Sequence, residues 1–152
     1  MFLGAVIRLW ALGFISGKKN QRIVQEGPYR LTRNPLYFGS FVFGIGMCLL
    51  GGSFTAAFVF LAFFAVVYGA AMRIEERELE IMFGEEFRRY RLAVPLFFPQ
   101  FASPLPEGEA VFHIRRYGHE MAAVIFLFAS AYAVTEWMAH LHACYGLPGW
   151  FD

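Results

Sequence analysis

Two short polar stretches hold nearly all the residues of this chain that could do chemistry. The first is GPYRLTRNPLYFG, residues 27–39, and the second is RIEERELEIMFGEEFRRYRLAVPLFFP, residues 73–99. In the first, Gly27-Pro28 marks a turn and Asn34-Pro35 reads as a helix start, with Asn as the cap and Pro at the first helical position, where its missing N–H costs nothing. Unpaired backbone N–H groups and the positive end of the helix dipole, with Arg30 and Arg33 beside them, make a corner that suits an anion. The same residues also fit a capped helix whose arginines snorkel to phospholipid headgroups. Residue types alone leave both open.

In the second stretch Met72, Glu76, Leu79, Phe83, Phe87 and Tyr90 recur at spacings of three and four, one helical stripe if Gly84 does not break it. Glu76 then lies on the apolar face and Glu75 at its edge. A carboxylate in such a place needs a partner. Arg73, three residues earlier, offers an intrahelical ion pair; alternatively the Glu pair faces a polar ligand, as acids at a membrane border often do. Glu78, Glu80, Glu85, Glu86, Arg88 and Arg89 read as a solvated face. Pro95 and Pro99 end the helix, and Pro104, Pro106 and Gly108 form a linker.

The elements that must hold these stretches are apolar. Of 152 residues, enough for one domain, 58% are hydrophobic, 19% aromatic and 16% charged, with a mean hydropathy of +0.48. Soluble domains average about 25% charged residues, so this composition points to a membrane protein and sets aside a secreted disulfide scaffold, a disordered tail and a free nucleic-acid binder. Pro35 to Met72 contains no Lys, Arg, Asp, Glu or His, more than the roughly 20 residues that one crossing needs. Gly51-Gly52-Ser53 is the turn-like cluster inside it, which predicts a hairpin of two helices, 35–51 and 54–72. A further span is predicted over 118–138, with Met121–Thr135 as its apolar centre. Residues 1–16 form a fourth apolar segment that is short for a crossing and carries Arg8, as a tilted or partly inserted helix would; no basic n-region precedes it to mark a signal peptide. The expected fold is therefore an all-α polytopic helical membrane protein, a single domain over 1–152 with about four apolar helical segments and a polar cap.

The charges orient that fold. Twelve of the 13 Lys and Arg fall in Lys18–Arg33 and Arg73–Arg116, the other being Arg8. A hairpin brings those two stretches to one face, and basic loops face the cytoplasm. Loops 17–34 and 73–117 are thus expected inside and the C-terminus outside. Lys18, Lys19 and Arg22 form a patch for anionic membrane lipids, and Trp137 and Trp150 suit an aromatic belt.

Other signals are discounted. Gly44-Ile45-Gly46 lies in an apolar run with no strand before it, so Gly39, Gly44, Gly46 and Gly51 read as close-packing positions along 35–51, a face that could also pair two copies as a homo-oligomer. The lack of alternating strands excludes a Rossmann-type fold. Cys48 and Cys144 read as buried thiols. His140 and His142, near Glu136, have no further ligands and read as interfacial side chains, and His119-Glu120 as an anchor; no metal site is expected.

Taken in order, Gly27-Pro28-Tyr29, Arg33-Asn34-Pro35-Leu36-Tyr37-Phe38-Gly39, Glu75-Glu76, Phe83-Gly84-Glu85-Glu86-Phe87, Tyr90 and Val94-Pro95 resemble the C-terminal half of the isoprenylcysteine carboxyl methyltransferase and phospholipid methyltransferase superfamily. Arg8-Leu9-Trp10-Ala11-Leu12-Gly13 is similar to its bacterial members. The resemblance implies an integral membrane enzyme, in a bacterial inner membrane, that takes a methyl group from S-adenosylmethionine at a cytoplasmic pocket made by the two polar stretches. It assigns Glu75 and Glu76 to the cofactor site, together with Arg33, Asn34, Pro35 and Tyr37. Asn34 stands where the isoprenylcysteine branch usually has His and phospholipid methyltransferases often have Asn. The superfamily is expected to have a further N-terminal span, and this chain an extra one after Pro106.

Methyl transfer from a sulfonium asks mainly for in-line positioning and a dry site, so the absence of a nucleophile–base pair is no objection. On this view Arg33 and the Asn34-Pro35 helix start hold the cofactor carboxylate. Glu75 or Glu76 accepts hydrogen bonds from the ribose hydroxyls or the amino group, and Tyr29, Tyr37 or Tyr90 meets the adenine or lines the channel. Arg73 and Glu76 stand as the catalytic candidates, Arg73 orienting an anionic acceptor. The acceptor is a lipid-like or isoprenylated small molecule with a carboxylate or an amine. Two alternatives share the architecture: a sterol-reductase-type enzyme using NADPH, and a non-catalytic membrane scaffold.

Overall fold

A computed structural model describes residues 1–15, 22–52 and 54–101, together with Ala129, Ala133, Glu136, Trp137, His140 and Cys144, which are helical. The Pro104–Gly108 linker and most of the predicted 118–138 span lie outside the described residues. Within residues 1–101 the described helices are α1 (Phe2–Ile15), α2 (Pro35–Leu50), α3 (Phe54–Phe83) and α4 (Glu85–Ala93), with a 3-10 turn at Gly27–Arg30 between α1 and α2. No strand occurs among the described residues.

α2 and α3 form an antiparallel pair joined at Gly51–Gly52, where Gly52 adopts φ +65°. Aromatic rings set their register. Tyr37 meets Tyr68 at 5.4 Å between centroids and Phe41 meets Phe64 at 5.1 Å. The ring of Phe60 fills the space where a side chain at Gly44 would sit. α1 packs on the other side of α2 with the backbones close together: a Cβ on Gly39 would lie 2.7 Å from Arg8 Cγ and 2.8 Å from the Gly4 carbonyl oxygen, and one on Gly46 would meet Met1. Small residues at such crossings let helices approach closely. Gly39, Gly44 and Gly46 thus pack inside the chain. Arg8, the lone charge of α1, reaches across to α2, donating from Nη1 to Ser40 Oγ and, at 3.4 Å, to the Leu36 carbonyl.

Among the described residues α3 is the one helix long and apolar enough to cross a bilayer. Its uncharged part, 54–72, is about 28 Å long at 1.5 Å per residue, close to the roughly 30 Å hydrocarbon thickness. Phe54, Phe58, Val59, Phe63 and Val66 along it are exposed, as a lipid-facing surface requires. The helix then continues unbroken through Arg73 to Phe83. There the condition for a single stripe to Tyr90 is not met: Gly84, at φ +53°, breaks the helix, a conformation that glycine adopts without steric cost. α4 turns back, and Glu80 holds it by taking Arg88 Nε at 2.9 Å and Arg91 Nη1 at 3.0 Å.

Two small cores close the polar end. Ala11, Phe14, Val24 and Tyr29 form one, and Ile23, Phe87, Tyr90 and Val94 the other. Gly27, at φ +57°, lies over the Phe14 ring, which would stand 2.6 Å from any Cβ there. After α4 the chain runs back along residues 31–34. Arg33 N–H donates to the Pro95 carbonyl and Gln100 N–H to the Leu31 carbonyl, both at 2.9 Å, while Thr32 Oγ1 donates to the Phe97 carbonyl at 2.9 Å. Asn34 differs from its expected part. It precedes α2 but makes no side-chain cap; its Nδ2 donates instead to the Leu96 carbonyl at 3.0 Å.

Candidate functional site: a cleft at the polar end of the helix pair

A cleft of about 680 Å³ opens between the end of α1, the start of α2, the charged part of α3 and α4, within the 300–1,000 Å³ typical of small-molecule sites. Its walls are mainly apolar, from Leu12 and Ile15 of α1, Leu36 of α2, and Ala71, Ile74, Leu79 and Met82 of α3. Tyr29, Arg33, Asn34, Pro35, Tyr37, Glu75, Glu76 and Tyr90 all line it. The start of α2 and the stretch just past the uncharged part of α3 lie side by side because the aromatic register pairs Tyr37 with Tyr68; Glu75 then stands two turns further along α3.

Arg33 Nη1 forms an ion pair with Glu76 Oε1, with the two side chains 11% and 19% exposed. Burial pushes the Arg33 guanidinium below its ordinary range, and the Glu76 carboxylate opposes that shift. The pairing joins the two polar stretches, whereas the expected partner of Glu76, Arg73, is exposed and does not line the cleft. The acceptor-orienting role expected of Arg73 therefore has no geometric support. Beside the ion pair, Tyr37 donates its hydroxyl to Glu75 Oε2 at 3.2 Å.

The two buried tyrosines have different tasks. Tyr90 donates its hydroxyl to the Tyr29 carbonyl at 2.7 Å, so it holds the wall of the cleft. The Tyr29 hydroxyl is buried without a hydrogen-bond partner. Burial pushes its pKa well above the ordinary 10.0, with Tyr90 and the Glu75 carboxylate adding to the shift. A buried hydroxyl lacking a partner is costly, and this one belongs to a residue that lines the cleft.

Some lining residues escape sequence reasoning. Glu78, assigned to a solvated face, stands at the cleft while remaining exposed. Leu12 and Ile15 come from α1, and only the way that α1 crosses α2 brings them there. The motif Arg8-Leu9-Trp10-Ala11-Leu12-Gly13 was the available signal for that crossing.

Fold and site together define a helical, membrane-associated protein with a guanidinium–carboxylate cleft at the polar end of an apolar helix pair. Residues 4–86, more than half of the chain, match phospholipid methyltransferase, and the chain belongs to that family. It is 30% identical over 93% of its length to the nickel-cobalt-cadmium resistance protein NccN of Alcaligenes xylosoxydans xylosoxydans, covering 66% of that protein. It is 34% identical over 79% of its length to the cobalt-zinc-cadmium resistance protein CzcN of Cupriavidus metallidurans, covering 55%. Protein-S-isoprenylcysteine O-methyltransferase of Schizosaccharomyces pombe is 30% identical over 53% of the chain, with 34% of that protein covered. The chain thus spans less than two thirds of these relatives' lengths. No solved structure matches it.

Proposed function

We propose that the chain transfers a methyl group from S-adenosylmethionine to a lipid-like or isoprenylated acceptor that bears a carboxylate or an amine. The observation that carries this reading is the buried, unpartnered hydroxyl of Tyr29, a residue that lines the same cleft as Glu75 and the Arg33–Glu76 pair. These groups fit the cofactor: a guanidinium for its carboxylate, two carboxylates for its amino and hydroxyl groups, and a phenol hydroxyl in need of a partner. The cofactor supplies the activated methyl group. Arg33 and Glu76 orient, Glu75 and Tyr37 hold, and the apolar walls from α1 and α3 keep water out and receive the apolar part of the acceptor.

In this reading α2 and α3 cross the bilayer as a hairpin, with the cleft on the cytoplasmic side of a bacterial inner membrane and the C-terminus outside. The family match and the apolar, exposed α3 support it. The metal-resistance names belong to the two relatives; the proposed acceptor rests on the cleft.

Calorimetric titration of the purified chain with S-adenosylmethionine tests the reading. Binding is expected in the wild type and at least a tenfold weakening, about 1.4 kcal/mol, in Glu75→Gln/Glu76→Gln. Unchanged affinity in that variant removes the proposed ligand role. Membranes incubated with methyl-labelled cofactor and extracted for lipids should yield a labelled product. Binding of NADPH alone would support a reductase instead, and binding of neither by the folded protein a scaffold.

A further inference from the structure

The family match stops at residue 86, and the least polar piece of the cap lies beyond it. From Pro95 to Phe101 the sequence is PLFFPQF, and this segment doubles back onto the α2–α3 pair. The Phe97 ring lies 5.6 Å from Phe38, 5.5 Å from Phe41 and 5.7 Å from Phe64. Phe41 is six residues past Pro35 and Phe64 eight residues before Met72, so these partners stand about 9 and 12 Å inside the uncharged part of the pair at 1.5 Å per residue. The Phe97 ring reaches towards that depth, while its carbonyl, which accepts from Thr32 Oγ1 at 2.9 Å, stays at the level of residues 31–34.

Irregular backbone at the border of the hydrocarbon needs its polar groups paired within the protein. Four of these groups are paired here. The carbonyls of Pro95, Leu96 and Phe97 accept from Arg33 N–H, Asn34 Nδ2 and Thr32 Oγ1, and Gln100 N–H donates to the Leu31 carbonyl. The same segment leaves two aromatic rings open, Phe98 at 70% and Phe101 at 87% exposure, next to a helix pair whose own outer surface is equally apolar.

We infer that Pro95–Phe101 is a membrane-inserted strap. Phe97 wedges between α2 and α3, while Phe98 and Phe101 bury themselves in the acyl chains of the surrounding phospholipid. This rests on the proposed crossing of the bilayer by α2 and α3. Its consequence for the site is that residues 31–34, which carry Arg33 into the cleft, are pinned to an element anchored in lipid. The strap thereby sets the cleft mouth at headgroup level, where an acceptor with an apolar tail presents its polar end.

The test uses the full chain with Trp10→Phe, Trp137→Phe and Trp150→Phe, reconstituted in phosphatidylcholine and phosphatidylglycerol vesicles. Single tryptophans are then placed by Phe98→Trp, Phe101→Trp, Phe63→Trp on the exposed face of α3, or Glu85→Trp at the exposed start of α4. With lipids brominated on the acyl chains, fluorescence at 98 and 101 is expected to fall, as it does at 63, with no quenching by aqueous iodide; position 85 is expected to behave oppositely. Iodide quenching at 98 and 101, with bromolipid quenching confined to 63, overturns the strap and leaves the hairpin standing. Protection of 98 and 101 from both quenchers also overturns it, in favour of a cover made of protein. Absence of bromolipid quenching at 63 overturns the hairpin, and the strap with it.

Discussion

Tyr90 donates its hydroxyl to the carbonyl of Tyr29 across 61 positions of sequence, and this bond closes the cleft. Tyr29 sits in the 3-10 turn after α1, and Tyr90 in α4 beyond the break at Gly84. Around it, Phe87 and Val94 are each 1% exposed. The polar end of the molecule is therefore a small packed unit of its own, with the cleft-lining groups on one side and a hydrophobic core beneath.

Removing the donor should loosen that unit without emptying it. Tyr90→Phe keeps the ring and leaves a buried carbonyl unpaired, a loss of about 1–3 kcal/mol, read as a lower Tm in detergent. Phe87→Ala, which opens a cavity, is expected to cost more, about 3–5 kcal/mol. A Tyr90→Phe protein as stable as the wild type would mean that the bond contributes nothing net.

Alkaline pH should attack the same place. Burial holds both the Tyr29 and Tyr90 phenols above their ordinary value of 10.0. Above that pH the unfolded chain releases these protons while the folded chain keeps them, so the unfolded state binds fewer protons and stability falls as pH rises. Each phenol contributes a slope of about 1.4 kcal/mol per pH unit. Denaturant titrations between pH 9 and 11 (about one unit either side of the phenol value) should show a steeper decline in the wild type than in Tyr90→Phe; equal slopes would place the ionisation elsewhere.

Where α1 crosses the start of α2, Gly39→Ala should push the two helices apart. The new Cβ would meet Arg8 Cγ at 2.7 Å and the Gly4 carbonyl at 2.8 Å. A backbone oxygen cannot move aside as a side chain can, so a loss of about 1–3 kcal/mol is expected. Because Leu12 and Ile15 of α1 wall the cleft, ligand affinity should fall together with Tm. A drop in Tm with unchanged affinity would separate α1 from the site.

How much of this was legible in the sequence depends on distance along the chain. The Gly51-Gly52 turn and the helical character of its flanks follow from local composition, and the uncharged run ending at Met72 is visible by eye. Asn34 and Glu76 take partners other than their local ones for one shared reason. Each has a plausible local partner, the helix N-terminus for one and Arg73 for the other. Each instead takes a distant one, Leu96 and Arg33. Gly84 is a different case: a glycine within a helical pattern leaves both outcomes open, and Glu80 and Arg88, which with Arg91 hold α4 after the turn, look from sequence like a plain solvated face. The strap was legible only as two prolines that end a helix, because its role depends on the depth at which Phe97 meets Phe41 and Phe64.

The Arg33–Glu76 pair allows structure and ligand binding to be separated. Both side chains are largely buried, so Arg33→Gln leaves a carboxylate without its counter-charge and Glu76→Gln leaves a guanidinium in the same position. Each single change is expected to lower stability by about 1–3 kcal/mol, below the 3–5 kcal/mol of a fully buried pair because some solvent reaches both groups. In Arg33→Gln/Glu76→Gln neither charge remains to be stranded, so the loss should be smaller than the sum of the two, a coupling of about 1 kcal/mol or more. Cofactor affinity should behave otherwise. If Arg33 holds a carboxylate and Glu76 accepts from a hydroxyl or amino group, the double variant loses both contacts and must bind no better than the weaker single one. Recovery of Tm without recovery of affinity is the expected pattern. Recovery of both would make the pair a structural clasp, and the ligand contacts would then have to come from Glu75, Tyr37 and Tyr29.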